Sequence, residues 1–200
     1  MDIKQKIFGF LNSQKIENNN IVVDEKYLRH LLTFENNPSD VNHVVLTLFN
    51  IINKEVDNAT EKRCLPPEIE EKINFNNVVA YRPLIENNYS ENGFYLDTAY
   101  EALDSDTPGR RKTFMRYLNL LYLTVLGEHL KKQAPLGKIE IIRANADNII
   151  VEIINSLLLR IASNGKVIEH ISSESIEYNV IAIVCHAFVD CKVLENPNNQ

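Results

Sequence analysis

Between positions 146 and 161 the apolar residues Ala146, Ile149, Ile150, Ile153, Ile154, Leu157, Leu158 and Ile161 recur at steps of three and four, with Glu152, Asn155 and Arg160 opposite. A strand would need steps of two, so this spacing specifies an α-helix and obliges the rest of the chain to cover its apolar side. A second stretch behaves similarly. Phe114, Tyr117, Leu118, Leu121, Tyr122, Val125 and Leu126 make one face, while Leu120 and Leu123 carry apolar surface around the helix. A helix that is apolar nearly all round is either central in its fold or covered by a partner. The fold class that follows is mainly α, an irregular helical domain.

Shorter elements fill in around these two. Residues 4–11 and 25–32 carry helical spacing, with Asp24 placed to cap the second, and Asn36-Asn37-Pro38 breaks the chain. Asp40 is read as the cap of a helix whose stripe is Val41, Val44, Val45, Leu48, Phe49 and Ile52. The polar stretch 57–63 suggests a boundary between an N-terminal helical region, 1–58, and a C-terminal helical interaction domain, 64–197. Pro67 suits a first helical turn and Glu68, Glu70 and Glu71 favour its positive end, giving a helix over 68–76. Residues 78–88 read as irregular or helical because Pro83 disfavours a central strand. The alternation at 138–143 suggests a short strand, which would pair with 166–171, or an extended linker. Asn164-Gly165 stops the helix before it, and Ser173 or Ser175 leads into a last helix over 176–189.

Composition narrows the function classes. A 44% hydrophobic content in 200 residues supports a packed core and excludes general disorder. The net charge of -6 opposes bulk binding to a polyanion, and no run approaches the roughly 20 apolar residues of a membrane span. The first eleven residues interleave Asp2, Lys4 and Lys6 with Phe8, Phe10 and Leu11, unlike a signal peptide. Three cysteines, Cys64, Cys185 and Cys191, without such a signal suit reduced thiols and a cytoplasmic setting.

Candidate chemistry is sparse. Cys185 and His186 are adjacent, but neighbours on a helix diverge by about 100°, so a thiol–imidazole pair is disfavoured against a buried thiol beside a boundary histidine. Cys185, Cys191, His186 and His170 lack the close paired spacing of structural zinc ligands. Asp104 and Asp106 read as turn or cap residues ahead of Pro108 and Gly109 rather than as ligands for a divalent cation. No phosphate-gripping glycine pattern occurs, and no cofactor is expected. The basic cluster Arg110, Arg111, Lys112 and Arg116 opens a helix where cations oppose the macrodipole by about 0.3–1 kcal/mol each, so acidic neighbours or a partner must compensate. A phosphate or nucleic-acid backbone is the alternative occupant.

The segment Ile181-Ala-Ile-Val-Cys-His-Ala-Phe188-Val-Asp190-Cys191-Lys192-Val-Leu194-Glu195-Asn-Pro197 resembles the closing motif of a domain at the C-termini of effectors in bacterial ABC-three-component, Lamassu-like anti-phage systems. The stretches Asn145-Ala-Asp147-Asn-Ile-Ile150 and Arg116-Tyr-Leu-Asn-Leu-Leu-Tyr122 are similar in order and character, so the resemblance runs from about Cys64 onward. It implies a noncatalytic domain that associates with itself and with an SMC-like ATPase or an accessory subunit, while a separate N-terminal effector does the damage. Residues 1–58 are too few and too helical for a nuclease, which casts this chain as an accessory subunit. The expectation is a scaffold or adaptor in a homo- or hetero-oligomer, with Arg110, Arg111, Lys112, Arg116, Phe188, Asp190, Lys192 and Leu194 as interaction residues. The rival is a nucleic-acid-binding or nuclease effector built on Arg110, Arg111, Lys112 and Arg116 with Asp104 and Asp106 nearby.

Overall fold

The computed structural model describes residues 14–17, 20–23, 25–32, 38–52, 68–89, 93–133, 135–163 and 171–199. Two short antiparallel strands, β1 (Gln14–Glu17) and β2 (Asn20–Val23), pair with Ile16 opposite Ile21 and Lys15 opposite Val22. Helices follow: α1 (Glu25–Leu32), α2 (Pro38–Ile52), α3 (Ile69–Asn76), α4 (Arg82–Asn87), α5 (Gly93–Asp106), α6 (Arg110–Lys132), α7 (Lys138–Ser163) and α8 (Ser173–Val189). A 3-10 turn at Pro197–Asn199 comes last. The mainly α reading therefore holds for the described residues.

The two longest helices, α6 and α7, lie against each other and α8 packs on α7, as the apolar periodicity of each requires. Ile149, Ile153, Ile154, Leu157 and Leu158 of α7 and Val180, Ile183 and Ala187 of α8 are fully buried. Val44, Val45, Leu48 and Phe49 of α2 and Leu31 of α1 belong to the same core. Two polar ties from α8 reach these helices: Ser175 Oγ donates to Asp40 Oδ2 at 2.7 Å, and Tyr27 Oη donates to Glu177 Oε2 at 2.8 Å.

Several sequence expectations are corrected. Residues 138–143 are not a strand but the opening of α7. Glu140, three residues into the helix from Gly137, accepts from the Gly137 N–H at 3.1 Å, which is half of a capping box, and Ile141 and Ile142 are both buried on the helical side. The proposed partner strand over 166–171 lies outside the described residues except Ile171, which sits in a bend. Asp40 is inside the first turn of α2 rather than at its cap. Ser172, not Ser173 or Ser175, caps α8 by accepting from the Ser175 N–H at 3.1 Å. Helix α5 has no counterpart in the sequence reading, which gave Asp104 and Asp106 as turn or cap residues; the helix runs through Asp106 and the turn is Thr107 to Gly109. Gly109, with φ 92°, begins α6 in a backbone region that other residues rarely adopt. Residues 4–11, Asp24, the boundary expected at 57–63, Pro67 and Asn164-Gly165 lie outside the described residues.

Candidate functional site

The expected interaction residues separate into three neighbourhoods. The first is a half-buried polar cluster where α5, α6 and the end of α8 meet. Arg111 Nη2 lies 3.1 Å from Asp97 Oδ1 and 3.6 Å from Asp190 Oδ2, and its guanidinium sits 5.0 Å above the Tyr100 ring. His186 lies between the same carboxylates, Nε2 3.7 Å from Asp97 and Nδ1 3.8 Å from Asp190, with its ring 5.3 Å from that of Tyr100. Burial lowers the His186 pKa, Asp190 and Asp97 pull it back up, and Arg111 adds to the lowering. The Arg111 main-chain N–H donates to Asp104 Oδ1 at 2.8 Å, so Asp104 satisfies a free donor at the α6 N-terminus. The compensation that the basic cluster called for is thus internal at Arg111, and Asp97, which sequence reading missed, supplies the nearest charge.

The second neighbourhood is a hook formed after α8. Lys192 N and Val193 N both donate to Ala187 O, at 2.8 and 3.3 Å, and Cys191 and Leu194 take positive φ of 58° and 60°. Non-glycine residues in that region cost about 1–2 kcal/mol each, so the surrounding contacts must impose the hook. Lys72 of α3, only 1% exposed, donates from Nζ to the carbonyls of Phe188 and Val193 and lies 4.3 Å from the Phe188 ring centre. Asn76 Nδ2 donates to Glu195 O at 2.9 Å and Asn76 Oδ1 accepts from Glu195 N at 3.1 Å. Asn119 Nδ2 donates to Lys192 O, and Tyr122 Oη and Lys138 Nζ both reach Glu195 Oε1 at 2.8 Å. Phe188, Lys192 and Leu194 therefore have structural work inside the fold, and Phe188 and Leu194 are buried.

The third is the outer side of α6. Phe114, Tyr117, Leu118, Tyr122, Val125 and Leu126 are buried, whereas Leu120 and Leu123 remain 43% and 47% exposed. A Cβ built at Gly127, one turn further, would meet nothing within 4 Å. Lys112 is exposed on the same helix, and Arg110 stacks 5.4 Å from the Phe49 ring. Arg110, Arg111 and Lys112 therefore face three different surroundings.

Cys185 is buried, and burial pushes its thiol up to about 12, so it is protonated near neutral pH and is no nucleophile. Among the described residues no group of three or more His, Cys, Asp or Glu side chains is arranged to hold a metal ion. No helix among them is long and apolar enough to cross a membrane. Compared with known proteins, the chain matches no family model, no curated protein and no solved structure.

Proposed function

We propose that this chain is a noncatalytic helical scaffold or adaptor whose work is protein–protein association. The observation that carries the reading is the pair Leu120 and Leu123, left open to solvent on a 23-residue helix whose other side is core. Fully burying a large aliphatic side chain contributes about 1.5–3 kcal/mol, and about half of that is still to be gained at each of these half-exposed leucines, so the pair favours a cover. Thr124, exposed between them and Gly127, turns its hydroxyl back to Leu120 O at 2.9 Å, so its donor is satisfied on its own helix.

The setting we propose follows the resemblance of the last two-thirds of the chain to the C-terminal modules of ABC-three-component, Lamassu-like systems. In that setting the partners are an SMC-like ATPase and an effector subunit of an antiviral complex. The rival nucleic-acid reading is weakened by Arg111, whose guanidinium is committed to Asp97 and Asp190. Light scattering across the size-exclusion peak, from low to high micromolar protein, tests association. Particles larger than one chain are expected; one chain per particle at every concentration overturns the scaffold reading.

A further inference from the structure

Charge along the chain changes sign at the α5–α6 turn. Residues 83–109 hold Glu86, Glu91, Asp97, Glu101, Asp104 and Asp106 and no Lys, Arg or His. Residues 110–132 hold Arg110, Arg111, Lys112, Arg116, Lys131 and Lys132 against Glu128 alone among acids. Each helix also carries exposed apolar side chains on its outer side. On α5, Phe94 is 77% exposed, Tyr95 packs its ring edge-on at 6.1 Å, and Thr98, Glu101, Ala102 and Ser105 follow at helical spacing, all exposed. Thr98 and Ser105 donate their hydroxyls to Phe94 O and Ala102 O, so the side chains satisfy themselves on their own helix. The side of α5 that faces the core uses different residues, Leu96, Ala99, Tyr100 and Leu103.

We infer that the outer side of α6 is covered by the outer side of α5 from a second copy of this chain, in a two-fold antiparallel pairing that sets Phe94 against Leu120 and Leu123 and Glu101 against Lys112 and Arg116. This rests on the association reading above and names its partner. The spacing supports it. Phe94 and Glu101 are seven positions apart on α5, as are Leu123 and Arg116 on α6, while Leu120 and Lys112 are eight apart. At 1.5 Å per residue each interval is about 10–12 Å, so antiparallel helices align both the apolar and the charged groups at once. A two-fold axis uses the match twice, because what α5 of one copy meets on the other is repeated in reverse.

The test is charge exchange on the intact chain, read by sedimentation equilibrium, with circular dichroism melts to confirm folding. Wild-type protein should sediment as a dimer. Lys112→Glu and Glu101→Lys should each weaken it by about tenfold or more, since each places like charges together at two symmetric points. The double variant Lys112→Glu/Glu101→Lys should return to within about threefold of wild type, because the pair is only reversed. Phe94→Glu and Leu123→Glu should give monomers. An assembly that is indifferent to Phe94→Glu and Leu123→Glu, or a double variant as weak as the singles combined, overturns this pairing and leaves the scaffold reading standing. A wild-type chain that is monomeric at every concentration overturns both. Because Lys112 and Glu101 are exposed, the exchange remains readable even if the apolar variants precipitate.

Discussion

Lys72 and Arg111 are both cations set near the C-terminal end of α8, yet they are held by opposite means. Lys72 is sealed from water and faces main-chain carbonyls, those of Phe188 and Val193. Arg111 is about a third exposed and faces side-chain carboxylates that also flank a histidine. Carbonyl dipoles at a helix end do not titrate, so the acceptors of the first arrangement are fixed main-chain groups held by packing. Carboxylates beside an imidazole at 3.7–3.8 Å form a looser set whose balance depends on protons. The contrast separates a device that stabilises the fold from one that tunes it. Asp147 is likewise held by main-chain groups, with the charge reversed. Its carboxylate accepts the N–H groups of Val79, Ala80 and Tyr81 at 3.1–3.2 Å, placing an anion at the N-terminal side of α4.

Breaking the sealed cation should have the largest effect. Lys72→Met keeps much of the volume but removes the side-chain donor to the Val193 carbonyl and leaves the Phe188 carbonyl with the Cys191 N–H, and should lower unfolding free energy by about 2–4 kcal/mol in denaturant titration. A loss below about 1 kcal/mol would mean that the hook does not depend on this lysine. Asp147→Ala, which strands three main-chain donors nearer the surface, should cost about 1–3 kcal/mol, and Asp147→Asn less.

The Arg111 cluster should respond to pH instead. The folded pKa of His186 lies below its unfolded value of about 6.5, so folding favours the neutral ring. Its contribution is fully present above that value and is lost as pH falls from about 6.5 toward the folded pKa, where the unfolded chain binds the extra proton first. His186→Asn should flatten that part of the pH–stability curve relative to wild type; an unchanged slope would show that the imidazole is not responsible. Arg111→Gln should sharpen the comparison with the smallest cost, about 0–1 kcal/mol for a partly exposed pair. Removing the guanidinium raises the His186 pKa and narrows the gap to the unfolded value, so the acid-side loss should shrink as well.

How far the chain could be read in advance depended on whether the signal was local. The α7 stripe from Ala146 to Ile161 and the start of α6 at Gly109 were legible because periodicity and turn chemistry act within a few residues. Helix α5 was missed although Leu96, Ala99, Tyr100 and Leu103 recur at steps of three, one and three; Asp, Ser and Thr around them read as a turn. At 138–143, Ile139 and Ile141 mimic strand alternation, but Ile141 and its neighbour Ile142 are both buried, as only a helix allows here. At the candidate site, the basic opening of α6 was visible, and so was its need for acidic compensation. That Asp97 and Asp190 supply it was not.

By itself, then, the sequence determined the helical class, most of the stripes that build the core and the opposed charges of the α5 and α6 regions, because these follow from composition and short-range spacing. Only the tertiary structure decided that Lys72 is buried under Phe188, that Arg111 turns inward while Lys112 does not, and that Leu120 and Leu123 stay uncovered. Those outcomes depend on which groups, up to 121 positions apart, meet in space and exclude water together, and no local pattern encodes that.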